Sequence, residues 1–107
     1  MKKISTQEFL EMQKKNPTLK IVDVLPPESY RDEHIPGSFN VPLEKAEFEQ
    51  EVSKTVATKE EPVVVYCASR ECDASPKAAE KLEKAGFQQV YDYEGGLDSW
   101  RNATYET

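Results

Sequence analysis

The stretch Pro62-Val63-Val64-Val65-Tyr66-Cys67-Ala68-Ser69-Arg70-Glu71-Cys72-Asp73-Ala74-Ser75-Pro76, continued by Lys77-Ala78-Ala79-Glu80-Lys81-Leu82-Glu83-Lys84-Ala85-Gly86, divides into a strand, a loop and a helix. Val63 to Tyr66 form a short apolar, β-branched and aromatic run, the signature of a strand buried on both faces. Ser75-Pro76 reads as a helix start, with a hydroxyl at the N-cap and proline at the first helical position. Ala78, Ala79, Leu82 and Ala85 recur at helical spacing, and Gly86 suits the left-handed residue past the helix end. Cys67 opens the loop between strand and helix, and Cys72 lies within it. A cysteine at that place faces the positive end of a helix, where backbone N–H groups and the helix dipole favour a thiolate.

Outward from this stretch, strands and helices alternate. Lys20 to Val24 reads as a strand that Pro26-Pro27 stops. Ser38 to Pro42 reads as a short strand after the Pro36-Gly37 turn. Phe87 to Tyr93 contains a last strand centred on Val90 and Tyr91. Among the helices, Ser5 and Glu8 have the spacing of a capping box, which opens a first helix with Phe9, Leu10 and Met12 as its apolar face. Asn16-Pro17 ends that helix. Glu28 to Asp32 suits a helical turn, and Glu44 to Lys54 a surface helix whose buried stripe is Ala46, Phe48 and Val52. Gly95-Gly96 leads into a short helix with Trp100 as its anchor, and no pattern is visible from Asn102 onward. This alternation predicts a mostly parallel sheet covered by helices on both faces, with any site beyond the C-terminal ends of the strands.

The chain has 107 residues, a length suited to one domain over residues 1–107. Its net charge of −6 argues against nucleic acid or an anionic membrane as partner. No apolar run approaches the ~20 residues that span a bilayer. The charged N-terminus lacks the apolar core of a signal peptide, so the expected location is cytoplasmic. In a reducing compartment a lone pair of cysteines is read as catalytic or redox-active before it is read as a structural staple. Two cysteines and one distant histidine, His34, leave a zinc ligand set incomplete, and no metal or cofactor is expected.

In order and spacing, Asp23-Val24, Tyr30, His34-Ile35-Pro36-Gly37-Ser38, Asn40-Val41-Pro42, Val64-Val65-Tyr66-Cys67, Lys77-Ala78-Ala79, Ala85-Gly86-Phe87 and Gly95-Gly96 with Trp100 together resemble the single-domain rhodanese (sulfurtransferase) family. The resemblance implies a rhodanese-like three-layer α/β domain with a mostly parallel central sheet. It implies that Cys67 takes a sulfane sulfur from a small anionic donor such as thiosulfate, becomes a persulfide, and passes the sulfur to cyanide or a thiol, a protein thiol included. Ala68, Ser69, Arg70, Glu71 and Cys72 would form the substrate-binding loop. His34 falls in a turn that is mainly structural in the family.

Departures from the family pattern cluster near the loop. Leu25 stands where an arginine is common. There is no glycine between Cys67 and Ser75, and Lys77-Ala78-Ala79 comes two residues late. Cys72 is an addition, a candidate resolving thiol that forms a disulfide with Cys67 or attacks its persulfide. Arg70, the one basic residue in the loop, is a candidate to bind an anionic donor or stabilise the thiolate. The leading reading is a thiosulfate sulfurtransferase-like enzyme. One alternative is a sulfur-carrier or redox-sensing module without turnover. A further one is a cysteine phosphatase or arsenate reductase, which would favour a glycine-rich loop ending in arginine.

Overall fold

The computed structural model describes residues 1–105. Its elements run β1 (Lys2–Ile4), α1 (Thr6–Lys15), β2 (Lys20–Asp23), α2 (Pro27–Asp32), β3 (Phe39–Asn40), α3 (Phe48–Ser53), β4 (Val63–Tyr66), α4 (Ala74–Lys84), β5 (Val90–Tyr93) and α5 (Gly96–Tyr105). The strands form one sheet in the order β1-β5-β4-β2-β3, and every pairing is parallel. No helix among the described residues is long and apolar enough to cross a membrane.

β4 is the centre of the sheet, flanked by β5 and β2, and all four of its residues are fully buried. Successive strand side chains point to opposite faces. Val63, Val65 and Cys67 therefore pack on one side with Val22 and Val90, beneath Phe48 and Val52 of α3 and Ala78, Ala79 and Leu82 of α4. Val64 and Tyr66 pack on the other side with Ile4, Ile21 and Tyr93, against Phe9 of α1 and Leu97 of α5. The three-layer architecture expected from the sequence is the observed one. It follows from a central strand with no polar face to offer water.

The capping box of α1 is present: Glu8 N–H donates to Ser5 Oγ and Ser5 N–H to the Glu8 carboxylate. Phe9 is fully buried, but Leu10 is turned outward at 38% exposure, and Met12 completes the packed face instead. Successive helix residues lie 100° apart, so with Phe9 aimed at the sheet, Met12 three residues on shares its face more closely than Leu10 does.

Three boundaries differ from the sequence reading. The helix expected over residues 44–54 shortens to α3, because Glu44 to Glu47 are all exposed and only Phe48 and Val52 reach the core. The expected strand over residues 38–42 is only two residues long, although Val41 N–H still donates to the Asp23 carbonyl and Leu43 N–H to that of Val24. Pro42 has no N–H to continue the ladder. At the far end, α5 continues through Asn102 to Tyr105, where no pattern was expected, with Trp100 half-buried against the α1 side of the core. Glu106 and Thr107 lie outside the described residues.

Candidate active site

Cys67 is the first residue beyond β4 and is 1% exposed. The loop after it turns tightly. Cys72 N–H donates to the Ser69 carbonyl at 3.1 Å, closing a turn through Arg70 and Glu71. That turn sends Cys72 back toward the strand end, and the two cysteines are joined in a disulfide with Cα atoms 6.4 Å apart. The sequence placed both cysteines in the loop; the structure joins them and thereby gives the oxidised form of the pair.

From the opposite side the loop is held by α5. Leu97 N–H donates to the Cys67 carbonyl at 3.0 Å and Asp98 N–H to the Ala68 carbonyl at 2.9 Å. These donors belong to the first turn of α5, whose N–H groups have no partner within the helix. Gly96, at φ +60°, makes the approach possible: a Cβ there would collide with the Cys67 carbonyl. Among the described residues, no hydrogen bond is formed by the N–H groups of Ala68, Ser69, Arg70 or Glu71. The carbonyls of Cys67, Ala68 and Ser69 are thus engaged, and the N–H groups of Ala68 to Glu71 are not.

The start of α4 corrects the sequence reading. The N-cap is Asp73, without a side-chain cap, and Ser75 is the second helical residue. Pro76 still lies in the first turn, where a missing N–H costs nothing. The Ser75 side chain is buried and lies against the cysteine, its Oγ 3.6 Å from Cys67 Sγ. Sγ also lies 3.6 Å from the Cys72 carbonyl oxygen.

Arg70 and Glu71 are exposed at the tip of the turn. Arg70 borders a cleft of about 280 Å³ whose walls include Lys3, Thr6, Glu94, Gly95 and Ser99. Lys3 and Glu94 form an ion pair there at 3.2 Å. Ser69 is half-buried and closes the Cys72 turn through its carbonyl. A larger groove of about 930 Å³ lies between α1 and α5, lined by Leu10, Glu11 and Ala103 among others, away from the cysteine loop.

His34 serves its turn. Its Nδ1–H donates to the Tyr30 carbonyl at 2.7 Å, and the ring stacks on Tyr30 with centroids 3.7 Å apart. The Tyr66 hydroxyl, one residue before Cys67, accepts from Ile35 N–H and bonds Ser38 Oγ, both at 3.0 Å, so the turn is pinned to β4 from beneath. Burial holds the Tyr66 hydroxyl neutral well above the ordinary tyrosine range.

Two buried carboxyls lie outside the site residues expected from the sequence. Asp23 Oδ1 accepts from Leu25 N–H, while burial raises its pKa. Asp92 is fully buried on β5, and neither of its oxygens has a well-formed hydrogen bond. Burial raises its pKa, and the Ser75 hydroxyl is the group that offsets this most. Asp92 pairs in register with Val65 of β4 and Lys3 of β1, so it faces α4, as Cys67 does. The available sequence signal is an acid inside a strand that is flanked on both sides, but strand order is needed to recognise it.

The family model "Rhodanese-like domain" matches residues 5–103. Thiosulfate sulfurtransferase GlpE of Coxiella burnetii is 37% identical over 100 residues, covering 94% of this chain and 87% of the relative. Thiosulfate sulfurtransferase PspE of Escherichia coli is 38% identical over 77 residues, covering 71% of this chain and 68% of that one. Among solved structures, the BH2092 protein from Bacillus halodurans superposes with a TM-score of 0.81 at 27% identity, covering 96% of this chain and 73% of its own.

Proposed function

Since the chain belongs to the rhodanese-like domain family, we propose that it is a sulfurtransferase, with Cys67 as the sulfur-carrying nucleophile. The single observation that carries this is the setting of Cys67: a sulfur at the end of the central strand, against the first turn of α4, with the N–H groups of Ala68 to Glu71 unengaged. That surrounding suits an anionic sulfur and the charge developing on a leaving sulfite.

In this reading a reductant first opens the Cys67–Cys72 disulfide. The Cys67 thiolate attacks the outer sulfur of thiosulfate, the bond between the two thiosulfate sulfurs breaks, and sulfite leaves with the electron pair. Cys67 is then a persulfide. Cyanide or an acceptor thiol attacks the outer sulfur, and Cys67 departs as thiolate. Arg70, exposed beside the cleft, draws the anionic donor toward the loop. Action in the cytoplasm fits a step that needs reduced cysteines.

The disulfide favours one second reading, a redox-sensing sulfur carrier that loads Cys67 without rapid turnover. The phosphatase reading gains no support, since the residue that caps α4 is acidic Asp73 rather than a basic group. Reduced protein incubated with thiosulfate, followed by intact-mass analysis and a thiocyanate assay with cyanide, tests these. One added sulfur on Cys67 with turnover is the expected result, and the same adduct without turnover selects the carrier. Absence of any sulfur adduct with thiosulfate and polysulfide alike overturns both.

A further inference from the structure

The two halves of the Cys67–Cys72 disulfide differ in what an outside molecule can reach. Cys67 is 1% exposed. Its Sγ is hemmed in by the Cys72 carbonyl oxygen and the Ser75 Oγ, each at 3.6 Å, and by the Ser69 carbonyl oxygen at 3.9 Å. Cys72 is only half-buried, recessed between Glu71 and Asp73, which are both exposed. Its N–H is fixed to the Ser69 carbonyl, so the turn holds it at the outer side of the pair. Exchange between a thiol and a disulfide depends on which sulfur is reached and which one leaves.

We propose that Cys72 is the exchange sulfur of the pair, the point at which a small reducing thiol enters the oxidised protein. The thiolate of that small molecule attacks Cys72 Sγ and forms a new S–S bond to it. The Cys67–Cys72 bond breaks, and its electron pair leaves on Cys67 as thiolate. A second small thiolate then attacks the mixed disulfide and frees Cys72. The sum is one protein disulfide and two thiols converted to two protein thiols and one small disulfide. Because Cys72 is recessed, the entry suits a sulfur on a narrow, unbranched stem.

Charge favours the same direction. Cys67 lies against the first turn of α4, an 11-residue helix, where unpaired N–H groups and the helix dipole favour an anion. The Ser75 hydroxyl beside it is able to donate to a thiolate. Cys72 has acidic Glu71 and Asp73 as its chain neighbours. Of the bases nearby, Lys77 is engaged by Asp73 at 3.1 Å, and Arg70 borders the cleft that Thr6 of α1 lines. The intermediate therefore carries the small thiol on Cys72 and a free Cys67. On the sulfurtransferase reading, on which this consequence rests, that capped form takes up sulfur but has no second thiol to attack the persulfide.

The test needs no variant and no sulfur transfer. Oxidised wild-type protein is mixed with glutathione as the small thiol. Samples from the earliest times onward are quenched in acid, capped with N-ethylmaleimide and cut with trypsin. Cleavage at Lys59, Arg70 and Lys77 places Cys67 in residues 60–70 and Cys72 in residues 71–77, so peptide masses read the two sites separately. Glutathione on 71–77 with N-ethylmaleimide on 60–70 is the expected pattern, in excess of the reverse by about ten-fold or more. Glutathione mainly on 60–70, or equally on both peptides, overturns the assignment. So does reduction with no adduct on 71–77 at any time, or a disulfide that glutathione leaves intact. The capped protein is then given thiosulfate, and one added sulfur on 60–70 without hydrosulfide release is expected. Failure to gain that sulfur, with glutathione still on Cys72, would overturn the sulfurtransferase reading alone.

Discussion

The carbonyl of Cys67 accepts a hydrogen bond from Leu97 N–H at 3.0 Å, so the first turn of α5 holds the strand end where the candidate nucleophile begins its loop. Gly96, one residue earlier, sits at φ +60° with no room for a Cβ beside the Cys67 and Ala68 backbone. Gly96→Ala therefore combines left-handed strain with a collision against backbone that cannot rotate away. The expected loss is about 3 kcal/mol of stability, seen as a fall in Tm of about 10 °C or more. Sulfur loading of Cys67 should fall further than stability alone explains, because the loop is pushed off α5. A variant with wild-type Tm and loading would show that this contact does not hold the loop.

Tyr66, the neighbour of Cys67 on the other face of β4, carries a different role. Its hydroxyl is the acceptor for Ile35 N–H and a partner of Ser38 Oγ, and all three residues are buried. Tyr66→Phe strands the Ile35 N–H in the core, a cost of about 1–3 kcal/mol. Ser38 keeps its bond to the Ile35 carbonyl, so the fold should survive. Urea unfolding should show the loss, and amide exchange at Ile35 should quicken, while the fraction of Cys67 that loads sulfur stays near wild type. Unchanged exchange at Ile35 would remove Tyr66 as the anchor of the turn.

These two cases show what could be read from the chain and what could not. The β4 run is apolar at every position, so a strand covered on both faces was the only way to bury it, and the layers followed. The place of Cys67 was legible because a strand end, a loop and a helix start can be recognised from local pattern. The partners of that cysteine were not. Ser75 looks like an N-cap by residue type, but the loop geometry moved the cap to Asp73 and turned the hydroxyl inward. Asp92 comes onto the face that α4 covers, in register with Val65, only because β5 pairs beside β4, a fact of strand order. The surface helix was overextended for a related reason. Charged residues of good propensity suggested helix from Glu44, but Ala46, expected in the buried stripe, is exposed, and with no large apolar side chain to pack those positions turned instead.

Asp23 gives a pH prediction whose sign is fixed by burial. Its carboxyl is fully inaccessible, and its pKa is raised above the ordinary 3.8, with burial as the main cause. The folded protein therefore holds the proton more tightly than the unfolded chain. The stability contribution is fully present below 3.8 and is lost as pH rises through the higher folded value. Asp23→Asn keeps an oxygen for Leu25 N–H and removes the ionisation. Its Tm relative to wild type should rise between acid and neutral pH, by about 1.4 kcal/mol of stability for each pH unit that separates the folded from the unfolded pKa. A difference in Tm that stays flat across this range would mean that the carboxyl carries no burial cost.

Cys72 decides whether the loop is a switch or only a carrier. In the structure it occupies Cys67 as a disulfide, so air-oxidised wild type should take up no sulfur until reduced. After loading, the Cys72 thiolate lies within reach of the Cys67 persulfide. Its attack on the inner sulfur forms the Cys67–Cys72 bond and releases hydrosulfide, with one anion consumed and one produced. Cys72→Ser removes both events. The variant should load sulfur without reductant, keep its persulfide several-fold longer than reduced wild type, and release no hydrosulfide in the absence of an acceptor. It should also lose the loop-closure contribution of a bridge five residues apart, about 2 kcal/mol relative to oxidised wild type. Intact mass over time and a hydrosulfide probe read the two species directly. If loading, persulfide lifetime and oxidant sensitivity all stay at wild-type values, Cys72 is not a resolving thiol.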